Sequence, residues 1–180
     1  GVGAGKERTN LDRNIGTWNG AKMIVFKHVV GGPLSNSLRE IIDEVQVPAL
    51  VLGSFVVADG YNGTRVVKFD AEGNYLTSWG ERGTAPNETR PAYWNNVHGI
   101  AVDPATNRVF VNDRGNRRIQ VFDENGGYLY EWNVGARGNI HMFIITEDGY
   151  LWAADRTSHK ILKYDLDGNF LYSWGTFGDF

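Results

Sequence analysis

The sequence contains no cysteine, which excludes a disulfide framework and a thiolate metal site. It has no apolar run near the roughly 18 residues that a membrane-spanning helix needs. Neither sign of charge dominates, because the formal net charge is −3, and this argues against nucleic acid or an acidic membrane as a partner. No signal-peptide pattern occurs and the first residue is Gly1, so we expect a processed or truncated product.

One pattern fills most of the chain and occurs three times. Its clearest copy runs from Val97 to Trp132, and we expect it to form four short strands. The segments HGIAVD, RVFVND, RRIQVFD and YLYEW carry the β-formers, and DPATN, DRGN and DENGG carry the turn residues between them. The other copies run from Ser54 to Gly80 and from Gly149 to Gly175.

Three positions recur together in these copies. They are an aspartate, an aromatic-Asp pair and a tryptophan, found as Asp59, Asp113 and Asp155, as Phe69-Asp70, Phe122-Asp123 and Tyr164-Asp165, and as Trp79, Trp132 and Trp174. A period of about 40 to 50 residues with four strands each is typical of propeller blades. The sequence therefore predicts an all-β chain that contains about three β-propeller blades.

The predicted domains divide the chain near Val47. Residues 1–46 form an irregular N-terminal segment, in which AKMIVFKHVV could be a strand and residues 35–45 a short helix. Residues 47–180 form a partial propeller with blades at about 47–80, 97–133 and 139–175, and a long loop before the second blade. Since three blades do not close a ring, we expect further blades from a longer chain or from partner subunits.

The blades resemble NHL repeats, in the segments VVADGYNGTRVVKFDAEGNYLTSWG and VHGIAVDPATNRVFVNDRGNRRIQVFDENG. The combination of DGYxxxR, xHxxAV and DRxxxRIQ is similar to peptidyl-α-hydroxyglycine α-amidating lyase and its bacterial relatives. That resemblance implies a six-bladed NHL-type ring, with zinc on three histidines in the channel and calcium deeper along the axis. It also implies a lyase that releases a peptide amide and glyoxylate, in an extracellular or periplasmic location.

The same resemblance implies roles for three residues. Tyr61 matches the catalytic tyrosine, His98 a zinc ligand, and Arg114 an active-site arginine that binds substrate. The cysteine that follows the tyrosine in the family is Asn62 here, and the family's other zinc histidines belong to blades outside this stretch.

The residues themselves leave alternatives open. A neutral imidazole is a good zinc ligand, but a catalytic zinc site uses three protein ligands. His98 could therefore be a zinc ligand or a histidine that only lines the channel. His141 is the weaker candidate ligand. A tyrosine such as Tyr61 could act as a base only if a cation lowered its pKa from about 10. Arg114 could bind a carboxylate or pair between blades. The repeated aspartates suit turn capping and the repeated tryptophans an inter-blade core.

Two further functions stay open beside a metal-dependent lyase that acts on a peptide or small amide. One is a non-catalytic propeller that binds a protein, peptide or glycan. The other is a structural subunit whose open blade edges join copies. For the lyase and for the binding module, the expected ligand is a peptide or small molecule in the central channel.

Overall fold

The computed structural model describes residues 54–60, 63–70, 73–135 and 138–176, and the backbone alone of residues 15–18 and 21–24. The strands are β1 Ile15–Trp18, β2 Ala21–Ile24, β3 Ser54–Asp59, β4 Arg65–Asp70, β5 Tyr75–Trp79, β6 Glu81–Arg82, β7 Tyr93–Trp94, β8 Val97–Val102, β9 Val109–Asp113, β10 Arg118–Phe122, β11 Tyr128–Asn133, β12 Ile140–Ile145, β13 Tyr150–Asp155, β14 Lys160–Asp165 and β15 Phe170–Trp174. A 3₁₀ turn covers Arg114–Asn116. Within these ranges no helix is long and apolar enough to cross a membrane.

Three antiparallel sheets follow one another along the chain. The first blade is β3-β4-β5, the second is β8-β9-β10-β11, and the third is β12-β13-β14-β15. The first strands of the three sheets lie side by side, with β8 between β3 and β12. Sheets whose first strands converge while their last strands point outward are blades of a propeller, so the predicted all-β propeller is confirmed.

Each outer strand carries a bulge at the same repeat position. The register shifts between Lys68 and Phe69, between Val121 and Phe122, and between Lys163 and Tyr164. The residues left out of the pairing are Leu76, Leu129 and Leu171, which are all exposed. A bulge increases the local twist of the sheet, so the three blades twist alike at their outer edges.

The core lies between the blades rather than within one sheet. One buried cluster joins the first and second blades and includes Val66, Trp94 and Phe122. The other joins the second and third and includes Phe110, Ile119 and Tyr164.

The connection between the first and second blades was predicted as a loop, and it consists of turns with one short parallel pair, β6 and β7. Arg118 fastens it to the second blade. The buried guanidinium donates to the carbonyl oxygens of Arg90 and Tyr93 at 3.1 and 2.8 Å and to the Asp113 carboxylate at 2.8 Å. Those bonds compensate for burying its charge.

In the N-terminal segment, β1 pairs with β2 in an antiparallel arrangement. The strand expected in AKMIVFKHVV is present as β2, but residues 15–18, expected to be irregular, form β1. The dipeptide between the strands is Asn19-Gly20, a common two-residue hairpin sequence that explains the difference. The helix expected at residues 35–45 lies outside the described residues.

Candidate functional site

Two inner strands carry a histidine at their first bulge. In β8 the pairing with β9 shifts between Val97 and Ile100, and this shift includes His98. In β12 the pairing with β13 passes from Ile140 to Met142 and leaves out His141. A bulge redirects a side chain away from the regular alternation of a strand. The bulges in β8 and β12 therefore set the directions in which the two imidazoles point.

The two imidazoles lie against each other. Their ring centroids are 4.2 Å apart and the rings are tilted by 47°. His98 is buried, with 7% of its surface exposed, and His141 is half-buried. The structure thus brings together the two histidines predicted as metal ligands, at the junction of the second and third blades.

The repeated aspartates hold the starts of the inner strands. The Asp113 carboxylate accepts a hydrogen bond from the Asn95 amide at 2.8 Å, and Asp155 accepts one from the Asn139 amide at 2.5 Å. In the first blade Asp59 instead pairs with Arg65 at 3.0 Å. The predicted turn capping is present at Asp155, which also accepts hydrogen bonds from the Thr157 and Ser158 amides at 3.2 and 2.7 Å. Asp113 differs, because its side chain makes no cap bond to the 3₁₀ turn that follows it.

The pKa of the Asp155 carboxyl group is lowered in the folded protein. Burial by itself raises the pKa of Asp155, but hydrogen bonds from the Ser158 hydroxyl and from the amides of Asn139, Ser158 and Thr157 outweigh it. The net result is a pKa below the ordinary value of aspartate. The carboxylate near His141 therefore stays ionised and serves as a structural acceptor.

Asn112 is a residue that the sequence analysis missed. It is 1% exposed, and its side-chain amide donates to the carbonyl oxygen of Ile140 at 2.7 Å. Ile140 directly precedes His141, so Asn112 of the second blade fixes the start of the inner strand of the third. The available signal was the repeat itself, since the equivalent positions hold Ala58 and Ala154.

Arg114 follows Asp113 at the same end of the blade as His98. Its backbone amide donates to the carbonyl oxygen of Asn96 at 3.3 Å, two residues before His98, and its side chain is half-buried. Tyr61 lies outside the described residues. Its neighbour Gly60 touches the backbone of Val97, because a Cβ added at Gly60 would lie 1.8 Å from the Val97 carbonyl oxygen.

The chemistry of this donor set can be compared with the metals that the resemblance implies. Two neighbouring imidazoles are donors that zinc accepts, but a catalytic zinc site uses three protein ligands. Among the described residues no three or more His, Cys, Asp or Glu side chains group together in a way that could hold a metal. The described residues therefore supply two zinc donors, His98 and His141, which is one fewer than a complete site needs. They supply no acidic cluster for calcium, which needs six to eight oxygen ligands.

A profile of the family described as 6-bladed beta-propeller (DUF5128) matches residues 95–174. This range contains the second and third blades and both histidines. Over these residues the chain carries blades of a β-propeller that are similar to those of this family. The propeller's sequence relatives include the rat peptidylglycine alpha-amidating monooxygenase, 37% identical over 103 residues, which are 57% of this chain and 10% of that protein.

Two further sequence relatives match about half of the chain. The Drosophila melanogaster peptidyl-alpha-hydroxyglycine alpha-amidating lyase 1 is 27% identical over 51% of this chain and 18% of its own length. The mouse NHL repeat-containing protein 3 is 39% identical over 54% of this chain and 24% of its own length. The propeller therefore spans less than a quarter of the length of each of these relatives, at an identity that supports kinship of the blades.

Solved structures match the propeller at the level of fold. Hydrazine synthase of Kuenenia stuttgartiensis superposes with a TM-score of 0.53 at 16% identity, over 67% of this chain and 32% of that one. A Bacteroides fragilis protein described as exported superposes with a TM-score of 0.56 at 14% identity, over 71% of this chain and 36% of that one.

Proposed function

We propose that the propeller is a metal-dependent, lyase-like enzyme whose centre is the pair His98 and His141. The observation that supports it most is the contact of two imidazoles, one from each of two adjacent inner strands, with 4.2 Å between ring centroids. In this proposal the two histidines bind zinc together with a donor from outside the described residues. Bound zinc would polarise a substrate oxygen as a Lewis acid. Calcium stays an expectation from the resemblance, and we assign no residue to it.

The substrate class that fits is a peptide or small amide that ends in an α-hydroxyglycine. Cleavage removes the hydroxyl proton, breaks the bond between the amide nitrogen and the hydroxylated carbon, and returns a proton to the nitrogen. The products are an amide and glyoxylate, without any change of redox state. We assign binding of the substrate carboxylate to Arg114, whose guanidinium can bind both carboxylate oxygens, and proton removal to Tyr61.

A direct assay tests this proposal. The protein is supplied with zinc and a peptide ending in α-hydroxyglycine, and released glyoxylate is measured. We expect release by the unchanged chain, and a decrease of roughly 10²- to 10⁴-fold in Tyr61→Phe if that residue is the base. His98→Ala should lose activity, while His159→Ala, which alters an exposed histidine, should retain it. No glyoxylate from the folded, zinc-supplied protein would refute the proposal.

A non-catalytic binding module is the second candidate. It is favoured by the shortage of metal donors, since the described residues contain no group of three. It is also compatible with the relationship to the mouse NHL repeat-containing protein 3. A peptide or small molecule that binds at the inner strands with equal affinity in the unchanged chain and in Tyr61→Phe, without release of glyoxylate, would support this candidate.

The same comparisons motivate a proposal on location. Because one structural neighbour is described as exported, and because amidating lyases are among the sequence relatives, we propose that the propeller acts outside the cytoplasm.

A further inference from the structure

The two ends of the blades differ in charge. We call the end at which β8 and β12 begin the histidine end, and the end at which they finish the opposite end. The turns of the opposite end carry mostly acids, namely Asp70, Asp103, Asp123, Glu124, Glu147, Asp148, Asp165 and Asp167. Most cations of the described blades lie at the histidine end, namely Arg65, Arg82, Arg90, Arg114, Arg117, Arg118, Arg156 and Lys160.

The acids of the histidine end are largely neutralised within the protein. Three ion pairs join a carboxylate to an arginine, at 3.0 Å for Asp59 and Arg65, at 2.8 Å for Glu88 and Arg90, and at 2.8 Å for Asp113 and Arg118. The Asp155 carboxylate is buried and accepts hydrogen bonds from backbone amides. The cations left over therefore decide the charge of this surface.

Three cations remain without a carboxylate partner in the described part of the chain. They are Arg117, Arg156 and Lys160. Arg117 and Arg156 are exposed, and Lys160 is half-buried. A guanidinium can bind both oxygens of a carboxylate, so this surface has the donors that an anionic ligand needs.

Arg156 lies beside the histidine of the third blade. Its backbone amide donates to the carbonyl oxygen of Asn139 at 3.1 Å, two residues before His141. Arg114 makes the equivalent backbone bond in the second blade, at 3.3 Å. The start of each histidine-bearing strand is thus bonded to an arginine, and Arg156 is the more exposed of the two.

We propose that the histidine end binds an acidic peptide, and that Arg156 binds an acidic side chain of this peptide with Lys160 and Arg117 nearby. The inference rests on the proposed function, in which Arg114 binds the terminal carboxylate, and it adds the chemical class of the substrate. The acidic residues precede the reacting end of the peptide. Complementary charge accelerates association and favours such a peptide over a neutral or basic one.

A short peptide fits this surface better than a nucleic acid. The chain has a formal net charge of −3, and the turns of the opposite end are acidic. A long polyanion would be repelled wherever it extended beyond the histidine end. A short acidic peptide contacts the cations alone.

Two α-hydroxyglycine peptides of equal length test the preference, one with two glutamates and one with two glutamines before the reacting end. Glyoxylate release gives kcat and KM, and fluorescence anisotropy of the labelled product amides gives Kd without turnover. We expect KM and Kd to be lower for the glutamate peptide by on the order of tenfold at low salt, with equal kcat. The difference should vanish near 1 M salt, where exposed charges are screened.

Single substitutions attribute the preference to Arg156. Arg156→Gln should reduce it about threefold and leave the Kd of the glutamine peptide unchanged, whereas Arg156→Lys should retain most of it. Asn125→Asp is the matched control. It lowers the net charge by the same one unit, in an exposed turn at the opposite end, and should retain the full preference.

The outcomes separate this inference from the proposed function. Equal KM and Kd for the two peptides at low salt would overturn the inference, even if both peptides released glyoxylate and the proposed function stood. Salt-sensitive binding of the glutamate amide that depends on Arg156, without any glyoxylate release, would refute the lyase and support the ligand class.

Three further results would overturn the inference. One is a preference that Arg156→Gln leaves unchanged. Another is a single-stranded RNA of equal charge that binds more tightly than the glutamate amide. The third is salt-sensitive self-association of the unchanged chain, detected by sedimentation, that Arg156→Gln removes, because the acidic end of a second copy would then be the occupant.

Discussion

The lowered pKa of Asp155, one of the repeated aspartates, should make the stability of the protein depend on pH. A carboxylate whose pKa is lower in the folded protein stabilises the fold above its unfolded pKa, near 3.9, and loses this contribution as the pH falls through its folded pKa. Since hydrogen bonds from Ser158, Asn139 and Thr157 lower the pKa of Asp155, stability should decrease as the pH falls below about 4.

Asp155→Asn tests this attribution. The variant cannot accept all of these bonds, so it should be less stable than the unchanged chain at pH 7 and should lose less stability between pH 5 and pH 2. Asp167→Asn alters an exposed aspartate and is the control. Urea unfolding at several pH values measures the effect, and parallel pH profiles for Asp155→Asn and the unchanged chain would exclude the predicted role.

Single residues also mark the limit of sequence reasoning. The structural aspartates were predictable because they recur in every copy at one position. Asn112 stands out in the repeat because alanines hold the equivalent positions, but its role was not predictable. That role depends on a contact with Ile140 of the next blade, and repeats aligned on one another do not display contacts between them.

At the scale of elements, the sequence predicted the four strands of the second blade, since β-formers alternate with clear turn residues. It did not predict the bulges at His98 and His141. A bulge adds one residue to a strand without a distinct composition, and it depends on the pairing with the neighbouring strand. The direction of both histidines was therefore beyond sequence reasoning, although their places on inner strands were predicted.

The link between the second blade and the inner strand of the third should be sensitive to Asn112. Asn112→Ala removes the donor for the Ile140 carbonyl oxygen, and a buried acceptor without its donor costs about 1–3 kcal/mol. We expect a decrease of that size in the free energy of unfolding, together with weaker zinc binding because His141 follows Ile140. Asn125→Ala in an exposed turn is the control. An Asn112→Ala protein with unchanged urea unfolding and zinc affinity would contradict the assigned role.

At the scale of the whole molecule, the fold was predictable and the function was only partly so. Three recurring positions identified the propeller, because a repeat that buries its faces against neighbours must repeat its core residues. The active centre of a propeller draws residues from several blades, and its completeness is a property of the assembled ring. The sequence pattern nominated His98 and, as the weaker candidate, His141, but only the structure brought the two imidazoles into contact.

The central claim is that the histidine pair is a zinc site, and the metal content of natively purified protein tests it most directly. Elemental mass spectrometry should find zinc near one per chain in the unchanged protein and in His159→Ala. In His98→Ala zinc should be absent, and in His141→Ala it should be strongly reduced. Folded protein without zinc, never exposed to chelator, would contradict the claim, and so would zinc that persists in His98→Ala.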